Sequence, residues 1–210
     1  MKVPEFPVYL FDVDGVLLDS ATDICGAVQA VLVKYRFPAV SDKFLRTYIG
    51  RHLDDLFRDL KPDITTAEAA EMLAEYRAIY HARGHAGTRV FPGVAEGLAS
   101  LAGRKSTATT KGTPTTRHVL EIFGLLPYFD HVQGTDGFPA KPNPDVILKS
   151  LDVFGVQPED CLMVGDSAAD MAAGKRAGVK TCAVRYGYGN HAEMASHAPD
   201  FWIDDLRELA

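Results

Sequence analysis

Two aspartates follow directly on a short apolar run near the start of the sequence. Residues 8–11 are apolar or aromatic and predict a buried strand, which leads into Asp12 and Asp14 with Gly15 behind them. Because alternate residues of an extended chain point the same way, the two carboxylates can converge on one spot. Burying ionised carboxylates is costly unless a cation or hydrogen-bond donors compensate. The pair therefore indicates a metal site or a site of phosphoryl transfer.

Further polar residues stand where later strands are expected to end. In open α/β sheets ligands bind beyond the carboxyl ends of the strands, so these side chains are expected to gather at the same edge as the first two aspartates. They are Thr109, Thr110, Lys111, Lys141, Asp166 and Asp170. A cluster of carboxylate and hydroxyl oxygens suits Mg²⁺, and a lysine among them would offset charge on a transferring phosphoryl group.

Asp166 and Asp170 are four residues apart, so they share a face if a helix begins at that point. In that arrangement Asp170 either ligates the metal or orients Asp166 and Lys141. The spacing leaves both roles open.

The second half of the chain alternates between helical and strand patterns, which predicts a parallel sheet with helices on both faces. The fold class expected is therefore α/β, a doubly wound parallel sheet. The predicted helices lie near 94–102, 114–123, 144–154 and 168–177, and the predicted strands near 105–109, 130–133, 161–164, 180–184 and 201–203.

Between the first strand and this alternation lies a block with helical periodicity and no convincing strand. Capping-box patterns at residues 20–23 and 65–68 open two of its helices, the first over about 21–36, and a third has its apolar residues between 53 and 60. Glycines and a proline near residue 90 mark its end. We therefore expect a sheet domain of residues 1–15 and 90–210 with an inserted helical domain of residues 16–89.

Charge and composition limit the partners. The formal net charge is −6, and the helical block holds ten basic and ten acidic residues, so neither offers the basic surface that nucleic acids need. The longest apolar runs fall short of about 20 residues and no leader pattern is visible, so no membrane association is expected. Three widely spaced cysteines fit reduced thiols in the cytoplasm. We expect a cytoplasmic monomer or homodimer.

Four ordered motifs resemble those of the haloacid dehalogenase superfamily. They are residues 12–17 (Asp-Val-Asp-Gly-Val-Leu), Thr109, residues 141–144 (Lys-Pro-Asn-Pro) and residues 165–170 (Gly-Asp-Ser-Ala-Ala-Asp). Each motif alone is weakly specific, but all four occur in the right order across the whole chain. Within the superfamily the sequence is most similar to the phosphoglycolate phosphatase-like phosphatases, whose helical cap the inserted block resembles. The resemblance implies a Rossmann-like core and a Mg²⁺-dependent enzyme acting on a small phosphorylated metabolite.

The resemblance also implies roles for individual residues. Asp12 would be the nucleophile, forming an aspartyl-phosphate and ligating Mg²⁺. Asp14 would protonate the leaving group and then activate water, and its backbone carbonyl would reach the metal. Thr109 would hydrogen-bond the phosphoryl oxygens, and Lys141 would neutralise nucleophile and phosphate. Asp166 would complete the metal site, with Asp170 beside it.

Substrate contacts are expected from Gly15, Thr110, Lys111 and Arg51. Phosphoglycolate phosphatases usually carry Asn at the position of Thr110. Arg51 follows a glycine at a predicted helix start in the inserted block, from which it could reach the substrate. Arg185, beside residues 186–189 (Tyr-Gly-Tyr-Gly), lies past a strand end, so this arginine either touches the site or belongs to a structural loop.

Asp14 separates the branches of the superfamily. Haloacid dehalogenases lack this acid, and phosphonatases carry a small residue there, so the sequence is similar to the phosphatase or phosphomutase branch. A sugar phosphomutase would share all the core residues and remains an alternative. A non-catalytic phospho-aspartate switch is a second alternative, although it would need neither the second acid nor the insertion.

Overall fold

The structure is a computed structural model that describes residues 2–210. Its strands are β1 (Val8–Phe11), β2 (Leu18–Asp19), β3 (Arg89–Val90), β4 (Arg104–Thr107), β5 (Cys161–Gly165), β6 (Lys180–Val184) and β7 (Phe201–Ile203). Its α-helices are α1 (Ala21–Lys34), α2 (Asp42–Arg46), α3 (Leu53–Leu60), α4 (Thr66–Ala82), α5 (Val94–Ser100), α6 (Thr113–Ile122), α7 (Asp145–Phe154), α8 (Ala168–Ala177) and α9 (His191–Ser196).

Five strands form a parallel sheet in the order β4-β1-β5-β6-β7. The strand that leads into the aspartate pair lies inside the sheet, with Phe11 opposite Thr107 of β4 and Val164 of β5. All four residues of β1 are buried. β1 thus lies between β4 and β5, and all three strands end at the carboxyl edge of the sheet.

Hydrophobic residues cover both faces of the sheet, as a doubly wound fold requires. Because side chains alternate along a strand, Tyr9 and Phe11 pack on one face with α5 and α6, while Val8 and Leu10 pack on the other with α7 and α8. The predicted fold class, a doubly wound parallel sheet with an inserted helical block, is confirmed.

The chain divides into two compact units, one of residues 1–19 and 89–210 and one of residues 20–88. The boundaries expected from the sequence, 15/16 and 89/90, differ from this division because β2 and β3 pair antiparallel within the sheet unit. Residues 16–19 and 89 therefore belong to the sheet unit.

The helical unit consists of α1 to α4, and its interior is formed by apolar residues of α1, α3 and α4. Thr65 caps α4 with the predicted capping box, in which Glu68 takes part. The capping box predicted at Ser20 is wrong. The Asp23 carboxylate instead accepts hydrogen bonds from Arg83, Gly87 and Thr88 at the other end of the unit.

One predicted strand is also wrong. In place of a strand over 130–133, the structure has a single β-bridge between Ser106 and His131. The backbone N–H groups of Asp130 and His131 both donate to the carbonyl of Lys105, and the next bonds to β4 are made by the Thr107 side chain with the backbone of Gln133, so no backbone ladder forms. Within residues 2–210 no helix is long and apolar enough to cross a bilayer.

Candidate active site

The register of three neighbouring strands places polar residues side by side at the carboxyl edge of the sheet. The ladder continues past β1, where the N–H of Asp12 donates to the carbonyl of Val164 at 2.9 Å. On the other side the N–H of Ala108 donates to the carbonyl of Phe11 at 2.7 Å, which brings Thr109 to the same edge. Asp166 follows β5 directly. Asp12, Thr109 and Asp166 are all buried.

Lys141 connects the acidic residues of this edge. Its buried ammonium group lies 3.0 Å from Asp12 Oδ1 and 2.5 Å from Asp170 Oδ1, and it donates to the carbonyl oxygen of Ala108 at 2.8 Å. Three acceptors match the three protons of an ammonium group. Burial disfavours the charged lysine, but the ion pairs with Asp12 and Asp170 outweigh it and raise the pKa of Lys141 above its usual value.

Asp12 is buried, with both a positive group and other carboxylates close to it. Burial raises the pKa of its carboxyl group to about 6; Lys141 lowers it, whereas Asp170 and Asp14 raise it. Its Oδ2 atom is buried and accepts no well-aligned hydrogen bond from residues 2–210. A buried carboxylate oxygen without a donor is costly unless a ligand or an ion uses it, so this oxygen is available to a ligand or an ion.

Asp170 is hydrogen-bonded at both carboxylate oxygens. Oδ1 accepts from Lys141, and Oδ2 accepts from the backbone N–H and the hydroxyl of Ser167 at 2.9 and 2.6 Å. Ser167 is the N-cap of α8 and Asp170 completes its capping box. The prediction that Asp166 and Asp170 share a helix face is wrong, because α8 begins at Ala168 and Asp166 precedes it.

Asp166 is enclosed by backbone. Its Oδ2 accepts the N–H of Tyr188 at 2.7 Å, and a Cβ atom on Gly15 would lie 2.1 Å from that same oxygen. Gly15 also has φ +88°, so both its conformation and its surroundings require glycine. Burial, followed by repulsion from Asp170 and Asp12, holds the pKa of Asp166 well above its usual value.

Asp14 and the loop after β4 form the outer part of the site. Lys111 Nζ lies 3.3 Å from Asp14 Oδ2, and both side chains are 10% exposed. The hydroxyl of Thr109 accepts the backbone N–H of Lys111 at 3.3 Å. Thr110, half-buried, lies between them in the chain. The structure therefore brings the predicted acid, Asp14, against a predicted substrate residue.

Two arginines singled out in the sequence have contacts of their own. Arg51 belongs to the helical unit, is exposed, and stacks over the Tyr48 ring at 4.6 Å. Its expected substrate contact stays a prediction. Arg185 pairs with Asp204 and stacks over Trp202, so of the segment 185–189 it is Tyr188 that contacts an acidic residue of the site.

The acidic cluster fits a hard divalent cation. Asp12, Asp166 and Asp170 each offer an oxygen, and these atoms lie within 4.8 Å of one another. Among residues 2–210 no donor makes a well-aligned hydrogen bond to Asp12 Oδ2, whereas both carboxylate oxygens of Asp170 accept hydrogen bonds. Carboxylate oxygens are the ligands that Mg²⁺ prefers. Asp12 and Asp166 are therefore better placed than Asp170 to hold the ion directly.

Sequence reasoning missed the backbone groups that fix these side chains. The carbonyl of Ala108 holds Lys141, and the N–H of Tyr188 holds Asp166. Backbone donors and acceptors leave no trace in residue type. The one available signal was the pair of glycines at 187 and 189, whose reason becomes visible only from the close approach to Asp166.

A parallel sheet whose first strand ends in a buried Asp-x-Asp pair, with a lysine and further aspartates beside it, defines a Rossmann-like α/β protein with an acidic site at the carboxyl edge of its sheet. Residues 9–184 match the haloacid dehalogenase-like hydrolase family. The chain belongs to that family. This result confirms the resemblance expected from the four motifs.

The chain is similar over its whole length to curated and solved members. It is 33% identical to a phosphoglycolate phosphatase of Vibrio vulnificus, covering 100% of this chain and 96% of that protein. It is 34% identical to a phosphoglycolate phosphatase of Aquifex aeolicus, covering 96% and 94%. A solved haloacid dehalogenase-like hydrolase of Streptococcus pneumoniae superposes with a TM-score of 0.89 at 25% identity, covering 97% and 96%.

Proposed function

We propose that this enzyme hydrolyses small organic phosphate monoesters with Mg²⁺, through a phosphoryl group carried on Asp12, and that phosphoglycolate is its leading substrate. The observation that carries the proposal is the buried Asp12 carboxylate, paired with Lys141 at one oxygen and without an aligned donor at the other. A nucleophile needs such an available oxygen. The names of the full-length relatives favour phosphoglycolate.

In the first step an Asp12 carboxylate oxygen attacks phosphorus and the bond to the ester oxygen breaks. The departing alkoxide takes a proton from the carboxyl group of Asp14 and leaves as the alcohol. Lys141 offsets negative charge on Asp12 and on the phosphoryl oxygens, and the Thr109 hydroxyl donates to one of those oxygens. The protein holds Asp14, Lys141 and Thr109 in position before the substrate binds, whereas an acid free in solution has no fixed position.

In the second step water attacks phosphorus and gives its proton to the Asp14 carboxylate, while the bond between phosphorus and Asp12 breaks. Inorganic phosphate leaves and both carboxyl groups return to their starting states. One residue thus acts as acid and then as base, which splits a slow displacement into two easier ones.

Asp12, Asp166 and the backbone carbonyl of Asp14 would hold the ion, with Asp170 keeping Lys141 and the start of α8 in place. When bound, Mg²⁺ would polarise the phosphoryl oxygens and stabilise the charge that develops on them. Asp12 and Asp166 are the acids whose pKa values are raised in the metal-free protein, so a nearby cation would favour their ionised forms.

The second anionic group of the substrate would be bound by Lys111. Its ammonium group lies beside Asp14, the proton donor to the ester oxygen, so a carboxylate close to that oxygen would fall within its reach. Gly15 and Thr110 would line the same position. The helical unit would act as the cap that selects the substrate, with Arg51 contributing a second positive charge.

The test is a screen for phosphate release from small phosphate esters, with and without Mg²⁺. We expect phosphoglycolate to be hydrolysed in a Mg²⁺-dependent manner and Asp12→Asn to be inactive, because an amide is not a competent nucleophile. In Asp14→Asn the first step, transfer of the phosphoryl group to Asp12, is expected to be slow with esters of poor leaving groups and less impaired with p-nitrophenyl phosphate, whose leaving group needs no acid. Wild-type turnover in Asp12→Asn would contradict the mechanism.

The same assay separates the two alternatives. A phosphomutase would convert a sugar phosphate into an isomer without releasing stoichiometric phosphate. A phospho-aspartate switch would take up phosphate once and keep it for seconds or longer. Repeated turnover to free phosphate, with no isomeric product, excludes both.

A further inference from the structure

The loop of residues 186–189, called here the tyrosine loop, lies close against Asp166. A Cβ atom on Gly187 would lie 2.3 Å from Asp166 Cβ, and one on Gly189 would lie 1.8 Å from the Asp166 carbonyl oxygen. Neither glycine has a positive φ. Glycine is therefore required at these two positions for space rather than for conformation, and the space is what lets the backbone reach the carboxylate.

This close approach allows a backbone hydrogen bond from the tyrosine loop to Asp166. The N–H of Tyr188 donates to Asp166 Oδ2 at 2.7 Å. A charge-assisted bond to one oxygen fixes the orientation of a carboxylate and leaves the other oxygen to face the proposed ion. The loop thus acts on the geometry of the acid rather than on the substrate.

The same tyrosine anchors the loop to the segment by which the chain leaves the sheet unit, residues 16–19, called here the exit segment. The phenol of Tyr188 donates to Asp19 Oδ1 at 2.7 Å, and the phenol of Tyr186 donates to the Val16 carbonyl at 2.9 Å. The ring of Phe91, which follows β3, lies 5.0 Å from that of Tyr186 and 6.4 Å from that of Tyr188.

We propose that Tyr188 is a positioning residue that sets Asp166 for the metal and ties it to the exit segment through Asp19. This inference rests on the proposed metal site. The chain enters the helical unit directly after Asp19. A displacement of the exit segment would therefore move the Tyr188 phenol, and with it the Tyr188 N–H that binds Asp166. Magnesium affinity therefore depends on the state of the exit segment.

The experiment measures Mg²⁺ dissociation constants by titration calorimetry on the full chain, together with kcat at saturating Mg²⁺ and melting temperatures in EDTA. We expect Tyr188→Phe and Asp19→Ala each to weaken Mg²⁺ binding by about 10-fold, at the lower end of what outer partners of metal ligands contribute. The kcat at saturating Mg²⁺ should stay near wild type, because the ion restores the orientation of Asp166.

Three further variants make the test specific. Asp19→Asn keeps an acceptor oxygen and is expected to bind Mg²⁺ within about 2-fold of wild type. The double variant Tyr188→Phe/Asp19→Ala is expected to be no weaker than either single one, because both remove the hydrogen bond between the Tyr188 phenol and Asp19. Tyr128→Phe removes a phenol from another tyrosine packed against the core of the sheet unit and should leave Mg²⁺ binding unchanged.

Equal Mg²⁺ affinity of Tyr188→Phe and wild type would overturn the inference, as would losses that multiply in the double variant. If Tyr188→Phe lowers the melting temperature in EDTA so far that binding cannot be measured, Asp19→Ala, altered at an exposed residue, decides in the same way. Absence of Mg²⁺ binding in wild type would overturn the proposed metal site and this inference with it. Equal binding by wild type and Tyr188→Phe would overturn this inference alone, so the two outcomes can be told apart.

Discussion

At the scale of residues, the site is an arrangement of buried charges that balance one another. Lys141 contacts Asp12 and Asp170, and Asp170 is in turn held by Ser167. A buried charge that loses its partner is destabilising by several kcal/mol, whereas an intact pair is close to neutral. In the proposed mechanism the arrangement serves the reactivity of Asp12. Its contribution to stability becomes visible only when one partner is removed.

Replacement of Lys141 by methionine should reveal this dependence. In EDTA at pH 7 we expect Lys141→Met to lower the free energy of unfolding by about 3–5 kcal/mol, because two carboxylates lose their counter-charge. Lys105→Met is the matched control: the Nζ of this buried lysine donates to the neutral carbonyls of Leu101 and Gly103, so its loss should cost about 1–2 kcal/mol. Equal losses in urea unfolding would contradict the charge balance.

The raised pKa of Asp12 predicts how the metal-free protein responds to pH. The native group keeps its proton up to about 6, whereas the unfolded group loses it near 3.8, so between these values the native state binds more protons and stability falls as pH rises. Urea unfolding in EDTA at pH 4.5 and 6.5 should show this fall, and Asp12→Asn should show less of it. A fall that is as steep in Asp12→Asn would refute the assignment.

At the scale of elements, periodicity and strand ends predicted most of the scaffold. The apolar run at 8–11 and the positions of Thr109 and Asp166 behind later strands were sufficient to place three site residues at one edge, because parallel strands share a direction. Local patterns failed where a distant partner competed: Asp23 was predicted to cap α1 but binds Arg83, Gly87 and Thr88. The strand expected near 130–133 failed because, within residues 2–210, that segment shares a single β-bridge with β4 rather than a ladder.

The capping box of α8 should have a functional as well as a local role. Ser167→Ala removes the hydroxyl that binds Asp170, whereas Thr65→Ala removes the equivalent group from α4 in the helical unit. We expect both to cost about 1 kcal/mol of stability, as N-cap serine and threonine usually do. Only Ser167→Ala should also slow phosphate release, because Asp170 then holds Lys141 less firmly. Equal activity of the two variants would contradict the link between cap and site.

At the scale of the whole molecule, the sequence predicted an α/β unit interrupted by a helical one, and it predicted the order of the motifs that belong to the family. It could not predict the tyrosine loop contacts, because these join residues about 170 positions apart through backbone and hydroxyl groups. Hydrophobic periodicity reports which faces are buried, but not which backbone N–H meets which carboxylate.

The proposed role of the helical unit as a cap gives a test at this scale. We expect Arg51→Ala to raise KM for phosphoglycolate by about 10-fold with little change for p-nitrophenyl phosphate, because only the former has a carboxylate for a second cation to bind. Arg58→Ala is the control, since Arg58 is paired with Asp54 on α3. An equal effect of both variants, or of Arg51→Ala on both substrates, would remove Arg51 from the substrate site.

The central claim is that phosphate is carried on Asp12, and the most direct measurement is the capture of that intermediate. Wild type and Asp14→Asn are mixed with Mg²⁺ and radiolabelled phosphoglycolate, quenched in acid within milliseconds and digested. We predict label on the peptide that contains Asp12, longer-lived in Asp14→Asn because water is no longer activated, and none in Asp12→Asn. Phosphate release without label on that peptide, or label in Asp12→Asn, would contradict the account.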